Sequence, residues 1–254
     1  GSSPNFRSAL AIAAKAARTR VPALITGRSG TGKEVFARAI HGASPRGRGP
    51  LVMLDCSAVA PGLIASSLFG HERGAFPGAF ERHVGQLVQA DGGSIIIDHV
   101  ECMPAEAQAL LMQFIHSQDV QTVGGNIRQR VDLRIIATSS NPLDRMVDSG
   151  HFREDLYEAL SAAQINLPSL SERRSDIAPL ARHLAARIGS LPQMPAASIT
   201  DAAMQLLAAF AWPGNVRQLQ DVLFRATLTS GTGILTPEDF PAIQAAVEDS
   251  SNSS

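Results

Sequence analysis

The stretch Gly27-Arg28-Ser29-Gly30-Thr31-Gly32-Lys33 carries the clearest chemistry in the chain. Its spacing, G-x-x-x-x-G-K, lies between a short apolar run, Val21–Thr26, and a helical pattern, Lys33–His41. A strand, a glycine-rich turn and a helix in that order make a phosphate cradle. Successive backbone N–H groups wrap the phosphate oxygens, glycines supply the required dihedrals, and the helix N-terminus favours negative charge. Lys33 is then placed to reach the β- and γ-phosphates of a nucleotide. One residue departs from the general pattern: Glu34 stands where Ser or Thr usually ligates magnesium.

The elements that must hold this loop follow from apolar patterning. Residues 5–19 are Ala-rich with helical spacing. After Val21–Thr26, further buried strands are expected at Leu51–Cys56, Ser94–Asp98, Leu133–Thr138 and Gln164–Leu167. Helical patterns lie between them, most clearly Pro104–His116, with proline at its start. This alternation predicts an α/β fold, a parallel sheet covered by helices on both faces. After about Leu170 the strand signal stops. Asp176–Ile188, Thr200–Phe210 and Asn215–Leu228 read as helices, so a C-terminal all-helical subdomain is expected. The tail Ser250-Ser251-Asn252-Ser253-Ser254 reads as a frayed linker, and Gly1-Ser2-Ser3 as a tag remnant.

Composition excludes several classes. With 44% hydrophobic and 18% charged residues, a packed core is expected rather than disorder. Lys and Arg total 22 against 23 Asp and Glu, a net charge of −1, which leaves no electrostatic footprint for nucleic acid. DNA contact is therefore expected of a domain outside this chain. No apolar run reaches the ~18 residues of a membrane span, and no signal peptide is visible. Cys56 and Cys102 form no disulfide framework or metal spacing and are expected to be buried, reduced thiols of a cytoplasmic protein.

Longer stretches carry a family resemblance. Phe69-Gly70-His71-Glu72-Arg73-Gly74-Ala75-Phe76-Pro77-Gly78-Ala79 resembles the FGHE-x-GAFTGA loop of sigma-54-dependent transcription activators of the NtrC type. Phe152-Arg153-Glu154-Asp155-Leu156-Tyr157 and Trp212-Pro213-Gly214-Asn215-Val216-Arg217-Gln218-Leu219 are similar to two further signatures of that family, and GRSGTGKE carries its Glu34. The resemblance implies an AAA+ core over 1–171, a helical lid over 172–247 and a flexible tail over 248–254. It also implies ATP or ADP with magnesium, held by residues 27–34 at subunit interfaces. A homo-oligomer is implied, either a hexameric or heptameric ring or an inactive dimer. The loop Gly74, Ala75, Phe76, Pro77, Gly78 and Ala79 would touch the polymerase sigma factor.

The departures bear on mechanism. Ser94–Asp98 resembles Walker B, so Asp98 would hold magnesium through water, but His99 replaces the Glu that activates the attacking water. Asp55 replaces the Asn that restrains that Glu; it either pairs with His99 or is solvated. Ser140 falls at the sensor Asn. Arg153 matches one of two arginine fingers, and Ala159 takes the place of the other; Arg217 matches the arginine of the lid that senses nucleotide. At the loop tip, Pro77 replaces the threonine, and Phe76 is either an exposed apolar tip or folded onto the core. Binding groups are kept while hydrolytic groups are thinned. The expected function is an ATP-binding central domain with hydrolysis and sigma-54 remodelling weak or lost; the alternative is a working activator ATPase.

Overall fold

Five strands form the main sheet in the computed structural model of the chain, which describes residues 1–231 and 233–252, and buried aliphatic side chains anchor each of them. The strands are Ala23–Thr26 (β1), Leu51–Asp55 (β2), Ser94–Asp98 (β3), Arg134–Ser139 (β4) and Gln164–Asn166 (β5). All pair parallel, in the order β2-β3-β4-β1-β5. Every residue of β3 and β4 is buried, as a sheet covered on both faces requires. The register sets Asp55 opposite Asp98 and Thr26 opposite Ser139. The carboxyl ends of β1 to β4 therefore share one edge, where open α/β sheets bind ligands.

The chain divides into two compact units, one of Ala9–Gly27 with Lys33–Asn166, the other of Gly1–Ser8, Arg28–Gly32 and Leu167–Ser254. In the sheet unit, helices Pro61–Phe69 and Ala105–Ser117 bury Ile64, Leu68, Leu111 and Phe114 in the apolar core. Arg134 is charged yet only 1% exposed. Its guanidinium donates to the carbonyls of Ala16 (2.8 Å) and Val21 (3.2 Å), at and just past the C-terminus of helix Pro4–Ala17, where carbonyls lack partners within the helix. Two short hairpins pair Gly70–His71 with His83–Val84 and Asp119–Gln121 with Arg128–Arg130. Their strands are too short to show a period in the sequence.

The helical unit has its own core of Leu170, Ile177, Leu184, Leu207, Trp212 and Phe240. Helices Ile177–Gly189, Asp201–Ala209 and Asn215–Thr229 contribute to it, the second capped by Thr200, whose side chain accepts from the Ala203 N–H. Two expectations need correction here. The unit is not all-helical, because Ser198–Ile199 pairs in parallel with Ile234–Leu235. The tail is also not linker throughout: helix Pro241–Asn252 runs into it, while Ser253 and Ser254 lie outside the described residues. A third correction concerns the thiols. Cys56 is buried, but Cys102 is exposed, because the short helical turn Val100–Cys102 turns Val100 inward instead. Among the described residues no helix is long and apolar enough to cross a membrane.

Candidate functional site

Lys33 opens the helix Lys33–Gly42 and is 93% buried, with a relative exposure of 7%. Its Nζ donates to the carbonyl of Gly27 (2.8 Å), at the end of β1, and to Ser140 Oγ (2.8 Å), just past β4. The Ser140 N–H donates in turn to Glu101 Oε1 at 2.9 Å. Lys33 thus bridges the ends of two neighbouring strands, and Ser140 contacts the ammonium directly.

Next to it, Asp98 ends β3, and Thr138 Oγ1 on β4 donates a hydrogen bond to Asp98 Oδ1. His99 follows with left-handed backbone dihedrals, φ 53° and ψ 50°, a region that His tolerates better than most residues. That turn brings His99 Nδ1 to 3.1 Å from Asp55 Oδ1 and 3.3 Å from Asp98 Oδ2. Of the two readings for Asp55, its carboxylate is paired, although the side chain keeps 37% exposure. Burial alone would raise the Asp55 pKa, but hydrogen bonds from Ser57 Oγ and N–H, and from His99, outweigh it and hold the carboxyl below its usual value.

The remaining loop residues belong to the helical unit. Asn215 Nδ2 donates to the Ser29 carbonyl (2.8 Å), the Val216 and Arg217 N–H groups donate to Gly30 (2.9 and 3.2 Å), and Arg173 Nη2 donates to Thr31 (3.1 Å). Three consecutive carbonyls are thereby engaged. Because a trans peptide sets N–H opposite C=O, the N–H groups of Gly30 and Gly32 turn the other way, as a phosphate cradle needs. Gly30 has φ 76°, and a Cβ there would sit 2.3 Å from the Gly214 carbonyl, so no other residue fits. Arg217 has its side chain exposed, and among the described residues it forms no ion pair. Glu34 pairs instead with Arg38, at 2.8 Å, on the helix surface.

Arg153 starts helix Glu154–Leu160, its guanidinium held by Asp155 through Nε (3.0 Å) and Nη2 (2.6 Å) on an exposed surface. Its backbone N–H is fixed by buried Gln108, which also donates to Met103 and His151 carbonyls. Ala159 lies on the same helix. In the hairpin loop, Gly74 N–H bonds the Ala79 carbonyl (2.8 Å) and Ala79 N–H the Phe76 carbonyl (3.0 Å), leaving Pro77 and Gly78 exposed at the turn. Phe76 folds back edge-on to His71, at 4.9 Å, while Phe80 is 82% exposed.

A family described as the sigma-54 interaction domain matches residues 1–166, and the AAA+ ATPase lid domain matches residues 171–254. The chain belongs to the sigma-54 interaction domain family. Relatives include the transcriptional regulatory protein ZraR of Klebsiella oxytoca, 40% identical over 95% of this chain and 54% of its own length. The regulatory protein AtoC of Escherichia coli is 41% identical over 90% of this chain and 50% of its own. Crystal structures of NtrX from Brucella abortus in complex with ATP and with ADP superpose with TM-scores of 0.87, at 35% and 34% identity, covering 95% of this chain and 54% of NtrX. The chain spans about half the length of the curated relatives it matches. The fold is therefore the α/β AAA+ core with a lid domain in the C-terminal region.

Within this family frame, sequence reading missed Glu101, Thr138, Asn215, Arg173 and Gln108. Only Asn215 left a local signal, the Pro-Gly-Asn turn, whose Asn takes φ 55°. The other four act across the fold and have no spacing to betray them.

Proposed function

We propose that this chain is the ATP-binding central domain of a sigma-54-family transcription regulator in which hydrolysis and sigma-54 remodelling are weak or lost. Binding is supported by the loop geometry, by Lys33, and by similarity to NtrX crystallised with ATP and ADP. Asp98 suits magnesium: Thr138 holds one of its oxygens, and a hard cation takes carboxylate and phosphate oxygens with several waters retained. The observation that carries the weak-hydrolysis reading is the residue after Asp98. It is an imidazole tied to Asp55, where a glutamate would reach toward the attacking water. Loss of general-base help costs about 10²–10⁴ in rate. Loss of an arginine finger costs on the order of 10³–10⁵, and Ala159 offers no charge.

The His99–Asp55 pair also favours a second reading, in which Asp55 orients the imidazole to act as base in a working activator ATPase. A steady-state ATPase assay separates the two. Turnover at the ~1–10 s⁻¹ of ordinary enzymes, abolished by Lys33→Ala, selects the second. In either case the module acts as a homo-oligomer in the cytoplasm, with DNA bound through a domain beyond these residues.

A further inference from the structure

We propose that Asp55, Asp98 and His99 form a direct site for a borderline divalent cation of the Zn2+, Co2+ or Ni2+ class, filled without nucleotide. One ligand atom from each residue lies within 4.8 Å of the others. His99 Nδ1 stands 3.1 Å from Asp55 Oδ1 and 3.3 Å from Asp98 Oδ2. Ligands at about 2.1 Å from a metal are about 3.0 Å apart in octahedral and about 3.4 Å apart in tetrahedral geometry. Both observed separations fall in that interval.

The proton inventory points the same way. Two carboxylates converge on a single ring nitrogen, which brings one proton at most. A cation in place of that proton binds all three groups at once. The carboxylates are already oriented: Thr138 Oγ1 occupies Asp98 Oδ1 and leaves Oδ2 toward His99, while Ser57 N–H (2.9 Å) and Oγ (2.6 Å) both bond Asp55 Oδ1, the oxygen that faces His99, where a cation displaces the hydroxyl and keeps the N–H bond. The platform is rigid, since Asp55 and Asp98 are register partners on adjacent strands and the left-handed turn at His99 sets the ring beside them. Side-chain exposures of 37% for Asp55, 29% for His99 and 13% for Asp98 leave a path for an ion and for waters completing its shell.

An imidazole among the ligands selects Zn2+, Co2+ or Ni2+ over magnesium, which prefers oxygen and dehydrates reluctantly. The site also differs from the nucleotide-borne magnesium proposed above, because it needs neither phosphate nor Lys33. The test uses the 254-residue chain, stripped with EDTA and free of nucleotide. Co2+ is titrated by visible absorption and Zn2+ by calorimetry, with folding of each variant checked by circular dichroism. One ion per chain is expected at roughly micromolar affinity, accompanied by cobalt d–d bands. His99→Ala and the shape-conserving Asp55→Asn should each weaken binding roughly tenfold or more, and Lys33→Ala should leave it unchanged. No binding of either ion at about 100 times that concentration overturns the proposal. So does binding that survives His99→Ala or Asp55→Asn, or that is lost in Lys33→Ala. If His99→Ala fails to fold, Asp55→Asn decides.

Discussion

Lys33 Nζ and Ser140 Oγ are joined by a 2.8 Å hydrogen bond that links the start of the helix after the glycine loop to the end of β4. An ammonium has three donors, and here one reaches Ser140 and one the Gly27 carbonyl. The serine thus sits at the cation that would meet the γ-phosphate, although its side chain is shorter than the family's asparagine.

Nucleotide binding should follow from this arrangement. At 100 times the dissociation constant, ATP or ADP with magnesium should add about 2.7 kcal/mol of stability, read as a higher melting temperature. Lys33→Ala should remove the shift. An equal shift in that variant would show that the loop does not hold the phosphates.

Hydrolysis should be slow in the wild type and recover by steps. His99→Glu returns a carboxylate beside Asp98, and Ala159→Arg returns a second cation to the helix that starts after Arg153. The double variant should exceed either single variant in steady-state phosphate release, because groups at one transition state act together. Equal rates in all four proteins would exclude this account.

The loop tip should engage sigma-54 poorly. Pro77 lacks both hydroxyl and N–H, and Phe76 is packed on His71 rather than presented. Light scattering with ADP and a metal fluoride should detect no complex for wild type, while Pro77→Thr should gain one. A stable wild-type complex would favour the working-activator reading.

The two thiols should differ sharply in alkylation. Burial pushes Cys56 up to about 12, with Cys102 and nearby carboxylates adding to the shift. Cys102 is also raised, by partial burial and then by Glu101 and Asp55, yet it is exposed. A raised thiol pKa means less thiolate at a given pH. Iodoacetamide should therefore modify Cys102 slowly near pH 8 and faster as pH climbs, and should leave Cys56 intact until the chain unfolds. Mass spectrometry of the two peptides reads both; early labelling of Cys56 would contradict its burial.

Arg134→Met should destabilise the fold by about 1–3 kcal/mol, because it strips charged donors from the Ala17 and Val21 carbonyls, while the Ala16 carbonyl keeps the Thr19 N–H and Oγ1. Urea unfolding measures this. A change under about 0.5 kcal/mol, the scale of an ordinary surface substitution, would mean that other donors replace the guanidinium.

Local order was legible in the sequence wherever one segment carries its own signal. The glycine loop, the five strands and the helices Asp201–Ala209 and Asn215–Thr229 all declare themselves through period, turn residues or caps within a short window. The family motifs likewise named Lys33, Asp98, Arg153 and Arg217 as residue types at fixed spacing. What only the tertiary structure decided is which distant residues meet. Asp55 and His99 are 44 positions apart, and they pair because parallel register sets Asp55 beside Asp98 and a left-handed turn carries the next residue back. Glu101 reaches Ser140, and Arg134 reaches a helix end more than a hundred residues earlier, for the same reason. A buried polar group takes whatever partner the packed fold brings within hydrogen-bonding distance, and linear spacing carries no record of that distance.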